Sequence, residues 1–479
     1  MESIVVDVPA AFKSAAVCFQ QLLALATSAC EQGRTDAPMP FADLERALAV
    51  GAGELQRALH APILASMARD EPRLCIGDTL HVRVAPVATT FYGLAGPVSV
   101  MRWRYRPAND PRAATVDPIA LRIGAVRGTW LPATAEAMAF LVQQSPQREA
   151  ERTAHLLHVL PYSDSSFHRI TQAMGARWAE HRDAIEEVLI ARLRIPEEAT
   201  GITVSLDRVA TPMEEPRKRP RGRPCKGAAK RPVARVWRMS YCATVTLHDA
   251  NGRGLHTLRY GAMPGCDPDA EVIVALQNDV AALRARRPDL QVGLLCDGAV
   301  EMWNLLHGRF TEELLETALR ELVDLWHLLQ KVGKALRTRY SEARTASELR
   351  AWKLRLLNRS NAATALRDEL RSWLAVPEDE PLGEGDPLKE AVGFLTRQLR
   401  ADRLDYAAAR RAGQPVGSGP VEASCKCVFN VRLKRSGARW KEASAGNVIN
   451  LRATALSHRW DEAMELLHLA ARKEVRRAA

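Results

Sequence analysis

Residues 201–296 carry the pattern that most constrains how this chain can fold. Three strand-like segments come first: the apolar run Gly201–Asp207, the alternating run Val236–Leu247 and the shorter Leu255–Tyr260. An amphipathic helix over Asp267–Arg286 and a fourth apolar run, Val292–Cys296, follow them. The order is β-β-β-α-β, which predicts an α/β core built on a mixed sheet.

Acidic residues end the first and fourth of these strands. They are Asp207 and Asp297, and a third acid, Glu422, opens a later helix after Gly417-Ser-Gly-Pro-Val. The strand order matches the opening of a ribonuclease-H-like fold, in which the first and fourth strands are neighbours, so the two aspartates should meet. Carboxylates are hard oxygen ligands of the kind Mg²⁺ prefers. Two such ions about 3.5–4 Å apart activate the attacking oxygen and stabilise the leaving oxygen of a phosphodiester. The pattern therefore predicts phosphoryl transfer with these three acids as catalytic and metal-binding residues and two Mg²⁺ ions, for which Mn²⁺ could substitute.

Each acid also has a purely structural interpretation. Asp207 could pair with Arg208 in a turn, and Asp297 could cap the helix that follows it. Glu422 falls at the third position of its predicted helix and four residues before Lys426, where a glutamate stabilises a helix by roughly 0.3–1 kcal/mol. The joint placement of the three acids favours the functional interpretation.

Composition sets the broad class of the protein. A chain of 479 residues, 47% apolar and 26% charged, is expected to be globular, with two to four domains. Its net charge of +11 suits a polyanionic partner such as nucleic acid. We find no secretory signal and no run of the roughly 18 apolar residues that spans a membrane. The nine cysteines lack zinc-site spacing, which predicts reduced thiols in a cytosol.

The pattern along the chain predicts a mainly helical N-terminal region with a small β part, then the α/β core with a helical insertion. The predicted regions are a helical region 1–75, a β element and helical DNA-binding region 76–198, the first part of the core 199–330, the insertion 331–412, and the last part of the core with basic helices 413–479. Within the second region, Glu149–His158 and Phe167–Arg194 favour either a helix-turn-helix or an ordinary helical hairpin. In the first case, Ser165 or Ser166 would cap the second helix, and Arg169 and Gln172 would face DNA.

Two basic segments are candidate DNA contacts. Residues 217–235 contain nine basic residues and no acid, and proline and glycine make this a loop. Its core Arg221-Gly-Arg-Pro224 resembles an AT-hook that enters an A·T minor groove; a generic phosphate-binding arm is the alternative. The candidate DNA-binding residues of the loop are Arg217, Lys218, Arg219, Arg221, Arg223 and Lys226. The candidate DNA-binding residues of the second segment are Lys426, Arg432, Lys434, Arg435 and Arg439. A solvated helix face is the alternative interpretation of this segment.

Four ordered motifs resemble those of bacterial insertion-sequence transposases of the DDE type. The motifs are Leu294-Leu-Cys-Asp297-Gly-Ala with Trp303, Val323-Asp-Leu-Trp-His327-Leu-Leu, Gly417-Ser-Gly-Pro-Val-Glu422 and Arg432-Leu-Lys-Arg-Ser-Gly-Ala-Arg-Trp440. The resemblance covers about residues 200–465. It is greatest to the group with a helical insertion before the last acid, related to Mutator-like elements.

This resemblance implies an enzyme that cuts DNA at the element ends and joins it to target DNA. Carried over by position, Asp207, Asp297 and Glu422 form the catalytic triad, and Asp324-x-x-His327 is similar to a [Cys/Asp]-x-x-His motif. Both residues also have a structural interpretation: Asp324 could cap the next helix, and His327 could be a half-buried histidine with its hydrogen bonds satisfied. The implied partners are double-stranded DNA, namely terminal inverted repeats and a target, and further copies of the chain on that DNA.

Two features depart from the family pattern. Arg208 follows the first acid where glycine is expected, and the region between the first two strands is unusually long and basic. Two other hypotheses therefore remain open at the level of sequence. One is a catalytically inactive DNA-binding protein derived from a transposase. The other is a ribonuclease or resolvase with the same fold.

Overall fold

The computed structural model describes residues 7–215, 233–374 and 385–478. The six candidate DNA-binding residues of the basic loop lie outside this part of the chain. The chain forms two compact units, one of residues 1–185 with 461–479 and the other of residues 186–460.

The first unit is mainly helical with one antiparallel sheet. Its elements are α1 (Lys13–Gln32), α2 (Phe41–Ser66), β1 (Arg73–Ile76), β2 (Thr79–Gly93), β3 (Gly96–Pro107), α3 (Pro118–Ile123), α4 (Pro132–Gln144), α5 (Gln147–Leu156), most of α6 (Asp164–Arg192), most of α18 (Trp460–Ala470) and β9 (Val475–Arg477). The sheet has the order β3-β2-β1-β9. The end of the chain is thus a strand of this sheet, although the sequence predicts basic helices through residues 413–479.

Two features of this unit bear on the alternatives left open for residues 149–194. Leu157–Ser163 separates α5 from α6 and is longer than the roughly three- to four-residue turn of a helix-turn-helix, which favours the ordinary hairpin. Because α6 begins at Asp164, Ser165 and Ser166 lie inside its first turn and do not precede it. Among the described helices, Ala10–Gln32 is, by length and composition only, long and apolar enough to cross a membrane, and it is mostly exposed. The sequence predicts no such run because Gln20 and Gln21 interrupt the apolar residues of this segment.

The second unit is a mixed α/β structure. Its elements are β4 (Gly201–Glu214), β5 (Arg235–His248), β6 (Gly254–Ala262), α7 (Val274–Arg286), β7 (Gln291–Cys296), α8 (Val300–His307), α9 (Glu312–Leu315), β8 (Leu319–Val323), α10 (Leu325–Leu336), α11 (Glu342–Asn358), α12 (Ala362–Arg371), α13 (Pro387–Arg400), α14 (Tyr406–Arg411), α15 (Gly419–Ser424), α16 (Val431–Leu433) and α17 (Glu442–Leu456). Short π-helical segments precede α7 and join α15 to α16.

The five-stranded sheet of this unit has the order β6-β5-β4-β7-β8. Strands β4, β5 and β6 are antiparallel neighbours, whereas β7 and β8 run parallel to β4. The predicted pairing of the first and fourth strands is confirmed, and the order is compatible with a ribonuclease-H-like core. Strand β7 is buried at every position after Gln291, as expected of a central strand covered by helices on both faces.

Strand β4 is longer than predicted. Its pairing with β7 ends at Leu206↔Cys296, but its pairing with β5 continues to Glu214↔Arg235. Asp207 therefore lies inside a strand, at the point where the partner on one side stops. Beyond it, β4 and β5 form a two-stranded ribbon that leads to the basic loop.

The fifth strand and the helix after it also differ from the prediction. The sequence predicts a strand over Leu322–Trp326, but β8 ends at Val323 and α10 begins at Leu325. Asp324 is the N-cap of α10, and its side chain accepts a hydrogen bond from the N–H of His327. The apolar run thus includes both the end of a strand and the first turn of a helix.

Candidate active site

Three aspartates form a row at one end of the five-stranded sheet. In the register of the parallel strands, Leu206 pairs with Cys296 and Cys296 with Val323. The next residue along the chain is an acid in each case: Asp207 inside β4, and Asp297 and Asp324 directly after β7 and β8. Successive side chains of a strand point to opposite faces, so residues at equivalent positions of paired strands share a face. The fold therefore brings together acids that lie far apart in the sequence.

Asp207 is half-buried and hydrogen-bonded through both oxygens. Its Oδ1 accepts the N–H of Arg208 at 2.6 Å, and its Oδ2 accepts the thiol of Cys425 at 3.5 Å. Burial raises the pKa of Asp207; the Arg208 N–H opposes this effect, and the negative charge of Asp297 adds to it. The net pKa is above the ordinary value. A cation placed between the two aspartates would relieve their repulsion.

Asp297 holds the turn after β7. Its Oδ1 accepts the N–H of Ala299 at 2.8 Å, and Ala299 is the N-cap of α8. The side chain therefore orders the strand-to-helix turn without occupying the cap position itself. Gly298 has a φ of +89°, a conformation that favours glycine, and an added Cβ would lie 2.7 Å from the ring of Phe394.

Asp324 is fully buried and serves as a structural clamp. Its Oδ1 accepts from the backbone N–H of His327 at 2.8 Å and contacts the ring Nδ1 of His327 at 3.1 Å. Its Oδ2 accepts the backbone N–H of Ser418. Burial acts to raise the pKa of Asp324, but the hydrogen bonds from His327 and Ser418 outweigh it and lower the pKa. Asp324 thus joins the start of α10 to the loop that precedes Glu422.

His327 connects this clamp to the third acid. The hydrogen bond with Asp324 raises the pKa of His327 against the effect of burial, and the charges of Asp324, Asp297 and Glu422 add to the increase. Its Nδ1 lies 3.8 Å from Oε1 of Glu422. Ligand atoms of Asp324, His327 and Glu422 lie within 4.8 Å of one another.

Glu422 lies on α15, the helix that leads into Cys425 and so to the strand of Asp207. Helix α15 begins at Gly419, one residue earlier than the sequence analysis placed it, with Ser418 as the N-cap. Cys425 follows Glu422 by three residues, so the two side chains share one helix face, and its thiol contacts Asp207. Within the described residues, Glu422 forms no ion pair with Lys426, so the helix-pair interpretation of this acid is not supported.

Sequence analysis did not identify Cys425 as part of the site. The cysteine joins the helix of the third acid to the strand of the first, in a π-helical segment, Cys425–Asn430. π-Helical turns are frequent at functional sites. The spacing from Glu422 is visible in the sequence, but which strand the helix approaches is not.

The arginine after the first acid does not neutralise it. The side chain of Arg208 forms an ion pair with Glu301 on α8, and Tyr241 also donates to Glu301. The charges that act on the pKa of Asp207 come from Asp297 and His327. Arg208 therefore does not neutralise the carboxylate of Asp207, whose oxygens accept one backbone N–H and one thiol at 3.5 Å.

The second basic segment is not one helix. Lys434–Lys441 is irregular, and its last part runs beside the β4–β5 ribbon: the N–H of Trp440 donates to Pro212 at 3.0 Å, and Glu214 donates to Trp440 at 2.8 Å. Arg432 is 3% exposed and stacks on Trp440, which argues against a phosphate contact for this residue. Lys426, Arg435 and Arg439 are exposed and Lys434 is half-buried.

The donor set fits a hard divalent cation at Asp207, Asp297 and Glu422. Asp297 and Glu422 are half-buried carboxylates, each with an oxygen that accepts no hydrogen bond from the described residues. Asp324 fits poorly as a ligand because both of its oxygens accept backbone N–H groups. A cavity of about 790 Å³ lies at the amino ends of β7 and β8, lined in part by Gln291 and Leu319, and so at the end of those strands away from the acids.

Comparisons with known proteins give little further information. No protein-family model and no curated protein matches the chain. Among solved structures, the chain is similar to a "Drosophila P element transposase strand transfer complex", with 14% sequence identity, a TM-score of 0.25, and coverage of 68% of this chain and 79% of that chain. A TM-score this low establishes no shared fold, so the function is argued from the geometry of the site.

Proposed function

We propose that this protein is a metal-dependent DNA transposase of the DDE type, with a ribonuclease-H-like core and a helical insertion, similar to those of bacterial insertion sequences. The observation that carries the proposal is the convergence of three distant acids. Asp207 and Asp297 each follow a paired residue of adjacent parallel strands. Cys425, three residues after Glu422, contacts Asp207, and Nδ1 of His327 lies 3.8 Å from Oε1 of Glu422. Such a set of carboxylates is suited to phosphoryl transfer.

The protein would contribute ligands, orientation and charge. Asp207, Asp297 and Glu422 would hold two Mg²⁺ ions, which when bound activate the attacking oxygen and stabilise the leaving oxygen of a phosphodiester. Asp324 fixes the ring of His327 through Nδ1, which leaves Nε2 as the ring nitrogen free to exchange a proton. Asp324 and His327 would thus be accessory residues that position Glu422.

The substrates would be the ends of the element and a target duplex. The net charge of +11 and the two basic segments support a double-stranded DNA partner. We further propose that the protein acts in the bacterial cytoplasm, near the nucleoid, as a homo-oligomer assembled on DNA.

A cleavage assay with Asp297→Asn tests the function. The substrate is labelled duplex carrying the inverted repeats that flank the gene, in Mg²⁺ or Mn²⁺. The amide keeps the hydrogen bond to Ala299 but binds cations weakly, so we expect nicking and strand transfer to be lost while DNA binding and thermal stability persist.

Asp249→Asn is the matched control, because Asp249 also orders a turn by accepting backbone N–H groups, in the β5–β6 hairpin. This variant should cleave like the wild type. Full strand transfer by Asp297→Asn would overturn the proposal. Sequence-specific binding without nicking by the wild type would favour the inactive transposase-derived protein, and cleavage only of RNA hybrids or junctions would favour a ribonuclease or resolvase.

A further inference from the structure

Two buried thiols flank the first acid of the candidate site. Cys242 lies on β5 directly opposite Asp207 of β4, so the two side chains share one face of the sheet, with Cβ atoms about 4.5–5.5 Å apart. Cys425, in the π-helical segment after α15, donates its thiol to Oδ2 of Asp207 at 3.5 Å. The two thiols also contact each other as hydrogen-bond partners. A strand and a helical segment therefore each place a sulfur beside the same carboxylate.

The two thiols belong to one apolar cluster but differ in their access to solvent. Cys242 is fully buried, whereas Cys425 is 7% exposed. Burial is the largest of the causes that raise the pKa of the Cys242 thiol, so this thiol is a poor nucleophile towards molecules in solution. A small oxidant therefore reaches Cys425 first, and Cys242 reacts only with its neighbour.

A third cysteine in the same segment is directed away from this pair. Cys427 follows Cys425 by two residues, and side chains at this spacing on a helix do not face each other. The thiol of Cys427 contacts the carbonyl of Ser424 at 3.8 Å. Cys242, on the neighbouring strand, is thus the better placed partner for Cys425.

We propose that Cys242 and Cys425 form a peroxide-sensitive thiol pair that controls the acids of the site. The sulfur of Cys425 attacks one oxygen of hydrogen peroxide, the O–O bond breaks, and the departing hydroxide leaves with the thiol proton as water. The sulfur of Cys242 then displaces hydroxide from the resulting sulfenic acid, and its proton completes a second water. One peroxide is reduced and two thiols are oxidised to one disulfide, which a thiol reductant converts back to the thiols.

The disulfide would alter the site in two ways. It has no S–H group, so Oδ2 of Asp207 loses its donor. The two sulfurs must also approach to about 2 Å, which draws the segment after α15, and with it Glu422, towards β5. A displacement of about 1 Å at a reacting group lowers a rate about hundredfold. The effect on cleavage rests on the proposed function, whereas formation of the bond does not.

Peptide mapping after peroxide treatment tests the thiol pair directly. The wild-type protein is treated with hydrogen peroxide in metal-free buffer, the peroxide is removed with catalase, and the remaining thiols are blocked with iodoacetamide before digestion. We expect a linked peptide that joins Cys242 to Cys425 and disappears after treatment with dithiothreitol. Absence of this peptide, or a bond from Cys425 to a different cysteine, would overturn the proposal.

Cleavage of end DNA in Mg²⁺ measures the effect of the bond on the site. The oxidised wild type should cut about ten- to hundredfold more slowly than the reduced protein and should recover in dithiothreitol. Cys242→Ala and the nearly isosteric Cys242→Ser should cut like the reduced wild type both before and after peroxide. Cys427→Ala, the matched control from the same segment, should lose activity on oxidation as the wild type does. Undiminished cleavage by the linked protein would show that the bond does not control the acids.

Mn²⁺ binding separates failure of the thiol pair from failure of the proposed function. Followed by electron paramagnetic resonance without DNA, the affinity for Mn²⁺ should fall about tenfold or more on oxidation of the wild type and stay constant in Cys242→Ala. If the protein cuts no DNA but the linked peptide forms and Mn²⁺ affinity falls, the proposed function fails and the thiol pair stands. If the protein cuts DNA and the linked peptide does not form, the thiol pair fails and the proposed function stands.

Discussion

At the scale of single residues, the three aspartates of one row have different tasks. Asp324 is fully buried, and its oxygens accept backbone hydrogen bonds, whereas Asp207 and Asp297 are only half-buried. The sequence motifs present all three as acids next to apolar runs. Burial and hydrogen bonding give Asp324 a structural role, and Asp207 and Asp297 remain the aspartates that we propose as metal ligands.

Replacing Asp324 should therefore destabilise the protein. In Asp324→Asn, the amide nitrogen would face the N–H of Ser418 or His327, and one buried donor would lose a charged acceptor. We expect the free energy of unfolding in urea to fall by about 2–4 kcal/mol. Asp297→Asn should change it by less than about 1 kcal/mol, since its hydrogen bond to Ala299 survives. Equal losses in the two variants would contradict the distinction between clamp and ligand.

Replacing Asp207, unlike replacing Asp324, should stabilise the protein. Burial raises its folded-state pKa, so ionising it costs folding free energy at every pH above its unfolded pKa of about 3.9. In metal-free buffer, Asp207→Asn should raise the melting temperature at pH 7, and the gain should shrink as the pH falls towards 4. Asp249→Asn is the control. The N–H of Arg253 is the main cause that lowers the pKa of Asp249, so this substitution should not raise the melting temperature. A lower melting temperature of Asp207→Asn at pH 7 would contradict this account.

At the scale of elements, the helical insertion supports the turn that carries Asp297. On α13, Phe394 packs against Gly298, and Nε2 of Gln398 donates to the carbonyl of Gly298 at 3.1 Å. Helix α11 contributes Lys353 at the ring of Trp326. The insertion thus buttresses two loops of the site in addition to extending the chain between β8 and Glu422.

Gly298→Ala tests this support. The substitution strains a φ of +89° and places a Cβ 2.7 Å from the Phe394 ring, so we expect a loss of about 2–4 kcal/mol in the free energy of unfolding together with loss of cleavage. Gly385→Ala is the control, with a φ of +97° and no atom within 4 Å of its Cβ. It should cost only about 1–3 kcal/mol and leave cleavage intact. Equal effects of the two substitutions would show that the contact with Phe394 is unimportant.

At the scale of the whole molecule, the second basic segment runs beside the strands that flank the basic loop in the sequence. Trp440 pairs with the end of β4, and Arg439 precedes it directly. We therefore propose that both basic segments contribute to the DNA-binding surface.

Salt dependence measures how much of that surface binds phosphate. Changing Arg217, Lys218, Arg219, Arg221, Arg223 and Lys226 together to Gln should reduce the slope of log K against log salt by up to about 5, if each contacts one phosphate. The measurement is a titration of end DNA between about 50 and 200 mM salt. Arg432→Gln should leave the slope unchanged because Arg432 is buried against Trp440. An unchanged slope for the loop variant would exclude the loop from binding.

The sequence by itself predicted the core strands and singled out three acids as candidate site residues. Alternating and apolar runs reflect burial within one strand, and therefore they predicted β4, β5, β6, β7 and the helix between β6 and β7, with errors mainly at the ends. It also predicted that Asp207 and Asp297 would meet, because the order of strands restricts their pairing.

Only the tertiary structure decided the rest. The end of β8, the burial of Asp324, the thiol of Cys425 beside Asp207 and the stacking of Arg432 on Trp440 all depend on contacts between distant segments. Local patterns record which side of an element is buried, but they do not record which distant residue covers it. The buried position of Asp324 and the contact of Cys425 with Asp207 follow from those distant neighbours, and for this reason a motif could name candidate acids without separating the buried clamp from the proposed ligands.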